Sequence, residues 1–332
     1  MTHAERVIRD RIAEHGPITV GAYMRIAAAH YYAGRDPLGA DFTTAPEISQ
    51  MFGELIGLWC AVVWRAMGEP EPFALVELGP GRGTLMADAL RAAKGAPEFR
   101  RAAQIHLVET SPTLRARQAE RLADAQPTWH ARFADVPELP ILVLANEFFD
   151  ALPIEQYAGE ALRRIGLDDA DRLCFVPAEG EIRETAPVRE QYAAEIALRI
   201  AAHGGAALIV DYGPAESAPG DSLQAIMANK PHPTLADAGA ADLTAHVDFA
   251  ALAAAARAAG AGTHGPVTQR SFLRRLGIEP RAAKLMEAAD QPTRDSLAAA
   301  LDRLIAPDGM GTLFKVLALA HPALQAPPGF EP

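Results

Sequence analysis

Apolar residues run along this chain in two alternating rhythms. Short unbroken hydrophobic runs are followed by stretches in which hydrophobes recur every three or four residues, the pattern of buried strands leading into amphipathic helices. The strands read as Phe73 to Leu78, Gln104 to Thr110, a short one at Thr128-Trp129-His130-Ala131, Ile141 to Ala145 and Ala206 to Gly213. Thr263 to Thr268 reads as an edge strand and Gly311 to Leu319 as the last one. Helices are expected from the glycines after Leu78 to about Lys94, from Ser111 with Pro112 at its first position, from Pro187 to His203, through Ala259, and over 271–306. Continuous apolar strands separated by helices predict an α/β fold with a mainly parallel, Rossmann-like sheet.

Upstream, residues 4–15 predict a helix stopped by Gly16-Pro17, and Thr19 caps a second helix to about Ala29. A long helix is expected from Glu47 to Met67, with Met51, Leu55, Leu58, Val62 and Ala66 on its buried face. Residues 1–70 thus read as a helical cover on a core of 71–332, with insertions near 155–187, 214–248 and 271–308. The first of these alternates like an antiparallel hairpin, and Pro322 onward reads as a tail.

Composition narrows the class. The 31 basic and 42 acidic residues give a net charge of −11, which opposes a general nucleic-acid footprint and suits a basic peptide partner. Cys60 and Cys174 lack metal-ligand spacing and read as buried thiols in a reducing compartment, with no disulfide and no metal expected. The charged start, Met1 to Asp10, has no apolar signal core, and no run is long enough to span a bilayer. A cytoplasmic location, without membrane insertion, is the expectation.

The chemistry starts at Glu77-Leu78-Gly79-Pro80-Gly81-Arg82-Gly83-Thr84, where a strand meets a helix through alternate glycines. Glycine at 79, 81 and 83 lets backbone approach a ligand, and the helix start offers free N–H groups. The spacing disfavours a dinucleotide pyrophosphate, and an acid before the turn suits a positively charged group. This stretch resembles the first motif of S-adenosylmethionine (SAM) methyltransferases. There the acid helps hold the methionine amino end, and the loop passes beneath it. Glu109, at the end of the second strand, stands where a ribose-binding acid is expected, somewhat beyond the usual ~20 residues. Asp135, or the Trp129-His130 pair, is placed to flank an adenine, with a core role for Trp129 as the alternative.

Asn146 and Glu147 follow the fourth strand and should face the same crevice as Glu77 and Gly79. Methyl transfer is an in-line displacement, so Asn146 suits orienting a nucleophile and Glu147 suits holding a cationic one. The segment from His30 to Glu47 mixes Tyr31, Tyr32 and Phe42 with Asp36, Asp41 and Glu47; it either lines a site or packs as a surface loop.

Together, Asp36-Pro37-Leu38-Gly39, Asp41 through Glu54, Glu77 through Thr84, Asn146 through Pro153, Asp211-Tyr212-Gly213 and Asp242 through Phe249 resemble the MidA family. These are SAM-dependent protein arginine methyltransferases of bacteria and mitochondria that assist assembly of respiratory complex I. The resemblance implies SAM as cofactor, a helical cover, and a protein substrate, an arginine of the 49-kDa-type NADH dehydrogenase subunit. It leaves room for a homodimer. If the acceptor is a guanidinium, Glu147, Asp150, Asp41 and Glu47 are the acids expected to hold it, with Asp248 behind them. Asp150 has a competing reading as a helix cap. Two other functions stay open: a small-molecule N- or O-methyltransferase, and an assembly chaperone that keeps SAM as a structural ligand.

Overall fold

Seven strands make the central sheet: β1 (Phe73–Leu78), β2 (Ala103–Val108), β3 (Thr128–His130), β4 (Ile141–Asn146), β5 (Gly205–Tyr212), β6 (Gly262–Thr268) and β7 (Phe314–Ala320). In this computed structural model, which describes residues 1–33, 36, 38–39, 41 and 43–331, their spatial order is β6-β7-β5-β4-β1-β2-β3. Of the motif residues, Pro37, Ala40 and Phe42 lie outside the described residues. Strands β1 to β5 pair in parallel, and β7 runs antiparallel between β5 and β6. The order reverses between β1 and β4, the crevice where such sheets bind ligands.

Register fixes what meets there. Leu78 stands opposite Val108 on one side and Ala145 on the other, and Asn146 stands opposite Val210. The residues that follow, Gly79, Glu109 and Glu147, therefore leave the sheet along one edge.

Helices cover both faces. They are α1 (His3–His15), α2 (Val20–Ala33), α3 (Ala45–Ile48), α4 (Gln50–Ala66), α5 (Thr84–Ala92), α6 (Pro97–Ala102), α7 (Pro112–Arg121), α8 (Pro187–His203), α9 (Phe249–Ala258), α10 (Gln269–Arg275), α11 (Ile278–Glu287), α12 (Gln291–Ile305) and α13 (Met310–Leu313). Alternation along the strands sends Leu75, Leu142, Leu144 and Leu208 toward α4, α5 and α10 to α12. Val76, Val143, Ala207 and Ile209 face α8 and α9. A third core joins α1 and α2 to the insertions through Ile8, Tyr23, Ile154, Ile165, Leu223 and Leu243.

The structure differs from the sequence reading in several places. The helix expected over Glu47 to Met67 breaks at Ser49, whose extended backbone (φ −159°, ψ 138°) separates α3 from α4 and whose hydroxyl accepts from the Met51 N–H. Met51 and Leu55 are buried as expected, but Leu58 and Val62 are each 48% exposed and Ala66 is exposed, and the buried side also carries Phe52, Ile56, Trp59 and Trp64. That face is set by Gly57, where a Cβ would come 2.3 Å from the Ala89 carbonyl oxygen of α5. So α4 belongs to the sheet layers, in one core with α5 and α11, whereas α1 and α2 pack with the 155–187 and 214–248 insertions.

Residues 155–185 form two small antiparallel sheets, one of which recruits Ile18–Thr19. A further sheet holds Gln224–Met227, Lys230–His232 and Asp242–Thr244. The single helical stretch over 271–306 is three helices, and β7 begins only at Phe314 because α13 occupies the residues before it. The tail is docked: Trp59 Nε1 donates to the Pro328 carbonyl at 3.1 Å, and Phe330 packs on Phe272. Among the described residues, no helix is long and apolar enough to cross a membrane.

Candidate active site

A cavity of about 710 Å³ lies at the sheet edge between β1 and β4, within the range of small-molecule sites. Its floor is the glycine loop. Gly79, Gly81 and Gly83 all have positive φ (58°, 52° and 76°), where L side chains are strained. A Cβ at Gly81 would also lie 2.9 Å from Leu38, which seats on the loop. Arg82 reaches outward from the same loop, donating to Asp36 (2.6 Å) and to the Leu38 carbonyl (2.6 Å). Glu47 accepts from the Thr84 hydroxyl, which Arg121 also contacts at 2.7 Å. The segment before α4 is thereby latched onto the loop.

Besides Glu47, three carboxylates border the cavity, each in a different setting. Glu77 is buried beneath the loop, its Oε2 has no hydrogen-bond partner, and burial pushes its pKa up to about 8. Glu109 is also buried, which raises its pKa. Its Oε1 accepts from the Thr110 and Ser111 N–H groups and its Oε2 from Gln118. A carboxylate has about four acceptor sites, so Glu109 retains capacity for a ligand hydroxyl. Glu147 sits opposite, held at φ 50°, an unfavourable backbone state for a residue with a side chain. Its N–H bonds the Val210 carbonyl (2.8 Å), and its Oε1 accepts from the Ala45 N–H (3.0 Å) and Asn146 Nδ2 (3.1 Å). Burial, reinforced by Asp150 and Asp242, pushes the Glu147 pKa up to about 8. With its amide nitrogen committed to Glu147, Asn146 leaves Oδ1 without a partner.

Glu77, Gly79, Pro80, Gly81, Thr84, Glu109, Asn146, Glu147 and Glu47 all border this cavity, whereas Gly83, in the same loop, faces Leu122 and Gln118. The other expected residues do not border it. Trp129 donates from Nε1 to Gln118 (2.8 Å) and packs against the core, so it steadies Gln118 and does not form an adenine wall. Asp135 points to solvent and pairs with Arg132 at 2.6 Å; Ala131 borders the cavity instead. Asp41 accepts from Tyr31 and from the Ala228 N–H, tying α2 to the turn of the 224–232 hairpin. Asp248 caps α9 through the Ala251 N–H. Asp150 caps no helix; its side chain is buried in the wall behind Glu147.

That wall was not foreseen. Arg189 is fully buried and donates to the carbonyls of Asp150, Leu152, Ala245 and His246. Asp211 accepts the N–H groups of Phe149 and Asp150, and Asp211 and Asp150 supply the acids nearest the guanidinium. Gln118 was likewise missed. It joins the Gly81 carbonyl (2.7 Å) to Glu109, and its one sequence signal is being a neutral polar residue in a strongly charged helix.

A family model described as "Putative S-adenosyl-L-methionine-dependent methyltransferase" matches residues 55–168 and 159–267. The mitochondrial protein arginine methyltransferase NDUFAF7 homolog of Drosophila melanogaster is 37% identical over 376 residues, spanning 96% of this chain and 85% of its own. The chain belongs to this methyltransferase family. The Mus musculus NDUFAF7 is 39% identical, spanning 93% of this chain and 82% of its own. A Burkholderia thailandensis protein, described as a candidate methyl transferase and solved with S-adenosyl-homocysteine, superposes with a TM-score of 0.79 at 26% identity. The match covers 99% of this chain and 92% of that one. SAM is the cofactor of this methyltransferase, as its glycine loop suggested. The expected cytoplasmic location is overturned: the fly and mouse relatives are named as mitochondrial proteins.

The buried guanidinium gives a direct test of the wall. Arg189→Met leaves Asp211 and Asp150 facing each other without a cation, and should cost roughly 3–5 kcal/mol, read as a lower urea midpoint. An unchanged midpoint would show that the carbonyl contacts contribute nothing.

Proposed function

We propose that this methyltransferase modifies an arginine side chain of a protein partner. The observation that carries the reading is the acceptor end of the cavity. Ionised, Glu147 offers only acceptors there, as does the unpartnered Asn146 Oδ1, and the charges acting most strongly on Glu147 are two more acids, Asp150 and Asp242. A guanidinium presents five N–H donors and no acceptor, and keeps its charge at any physiological pH. The fly and mouse relatives are named protein arginine methyltransferases, which supports the same acceptor.

The cavity residues fit SAM by their own chemistry. Glu77, with an oxygen lacking any protein partner, would take the cofactor's ammonium, and Glu109 would take ribose hydroxyls. The glycine loop would lie beneath the methionine portion. SAM supplies a methyl group on a sulfonium, which leaves as the neutral thioether. Glu147 orients the guanidinium and localises its charge on the nitrogens it touches, leaving the third nitrogen to present its lone pair. As the N–C bond forms and the C–S bond breaks, the nitrogen that takes the methyl would give up one proton to water, since Glu147 holds the other two nitrogens.

The substrate follows from the family resemblance: an arginine of the 49-kDa-type NADH dehydrogenase subunit, methylated during assembly of complex I. Mass spectrometry of that subunit from cells with and without this protein tests the assignment. Loss of one methylarginine without the protein is the expected result, and an identical modification pattern would refute it.

Glu77→Gln should weaken S-adenosyl-homocysteine binding about 10- to 100-fold by calorimetry, and unchanged affinity would release Glu77 from this role. Glu147→Gln should retain cofactor binding and abolish turnover; methylation at the wild-type rate would remove Glu147 from the mechanism. Because burial raises the Glu147 pKa to about 8, the carboxylate is protonated below that pH in the free protein. At saturating SAM, kcat/KM should therefore climb as pH rises toward about 8. The kcat midpoint should lie lower, since a bound cation favours the ionised acid.

A further inference from the structure

Tyr32 is a cavity residue with no role in the reading above. It closes the last turn of α2 and borders the same cavity as Asn146, Glu147 and Tyr192. Its ring is fixed from several sides. The hydroxyl donates to Asp242 Oδ1 at 2.9 Å, and Asp242 is itself buried in the small sheet of the 224–244 insertion. Tyr31 packs on the ring edge-to-face, with centroids 4.8 Å apart at 89°, and is anchored in turn by Asp41. Tyr32 and Glu147 border the one cavity, and Asp242, behind the Tyr32 hydroxyl, is close enough to act on Glu147.

This arrangement differs from a simple acidic hole. Acids alone attract any cation, an ammonium as well as a guanidinium. A rigid aromatic ring adds shape selection, because a planar delocalised cation stacks on a ring face and sheds its hydration more readily than a compact ammonium. Donation to a carboxylate also enriches the Tyr32 oxygen as an acceptor.

We infer that Tyr32, held by Asp242, is the specificity wall of the acceptor site: its ring meets the incoming guanidinium while Glu147 and Asn146 accept its N–H groups. The inference rests on the arginine reading and names the residue that separates arginine from other cationic side chains. Asp41, expected from sequence to touch the acceptor, contributes from one layer behind, through Tyr31.

The test uses the full chain saturated with S-adenosyl-homocysteine, titrated with N-acetyl-arginine amide, N-acetyl-lysine amide and N-acetyl-citrulline amide. Wild type should bind the arginine probe best. Tyr32→Leu should weaken arginine binding about 3- to 30-fold, leaving the lysine probe and cofactor affinity unchanged. Tyr32→Phe keeps the ring and should keep the arginine preference, which also guards against a folding defect in the leucine variant. Wild-type arginine affinity in Tyr32→Leu, or loss of the preference in Tyr32→Phe, would overturn the inference alone. Equal binding of arginine and citrulline by wild type would overturn the arginine reading and the inference with it.

Discussion

A buried guanidinium holds the acceptor side of this molecule together. Arg189 comes from α8, yet the carbonyls it bonds belong to the turn after β4 and to the end of the 214–248 insertion. A fully buried cation is tolerated only when opposite charge and hydrogen bonds replace water. Asp211, at the end of β5, supplies that charge and also accepts two N–H groups of the turn. Burial raises the Asp211 and Asp150 pKa values, and Asp150 and Glu147 push Asp211 further up, while Arg189 draws both acids down, so the guanidinium offsets part of the cost of burying them. Because the turn is gripped on both sides, Glu147 can be held at a positive φ that an unsupported loop would relax.

The cofactor side is assembled differently, from the N-terminal segment folded down on the glycine loop. Arg82 grips Asp36 and Leu38 from below, Thr84 binds Glu47, and Ala45 donates to Glu147 across the cavity. The last contact joins the two sides: Glu147, the residue proposed to orient the acceptor, also anchors the N-terminal segment that covers the glycine loop. Seating of the cover and alignment of Glu147 are therefore one structural event.

How much of this could be read from sequence depended on which interactions did the positioning. The parallel strands were legible because burial on both faces makes them unbroken apolar runs, and their shared edge places Glu77, Glu109 and Glu147 around one crevice without any contact being known. The face of α4 was not legible. Nearly every position in Met51 to Val63 is apolar, so periodicity cannot choose a stripe, and the choice is made by Gly57 abutting α5. Trp129 packs against the core, as its alternative reading had it, and Asp135 does not border the cavity; β3 is a three-residue edge strand, too short to fix side-chain directions from a pattern. Arg189 gave no signal, because its partners are backbone carbonyls that no residue type announces.

The two ends of the cavity pose the same electrostatic problem. Glu77 and Glu147 are each pushed to about 8 chiefly by burial, and neither meets a protein cation close enough to reverse that. The protein thus keeps two acids in environments that disfavour their charged forms, a standing cost in stability. Arg189, buried among acids and bonded to the Asp150 carbonyl in the turn that carries Glu147, shows that this fold can supply a guanidinium where one is needed. In the proposed roles of Glu77 and Glu147, the compensating positive charge arrives with a ligand: the ammonium of SAM at one end and the acceptor guanidinium at the other. A neutral ligand at either end would leave the desolvated carboxylate uncompensated. The unpaired acids are thus a source of selectivity, because the interaction missing from the free protein is the one that the correct cation completes.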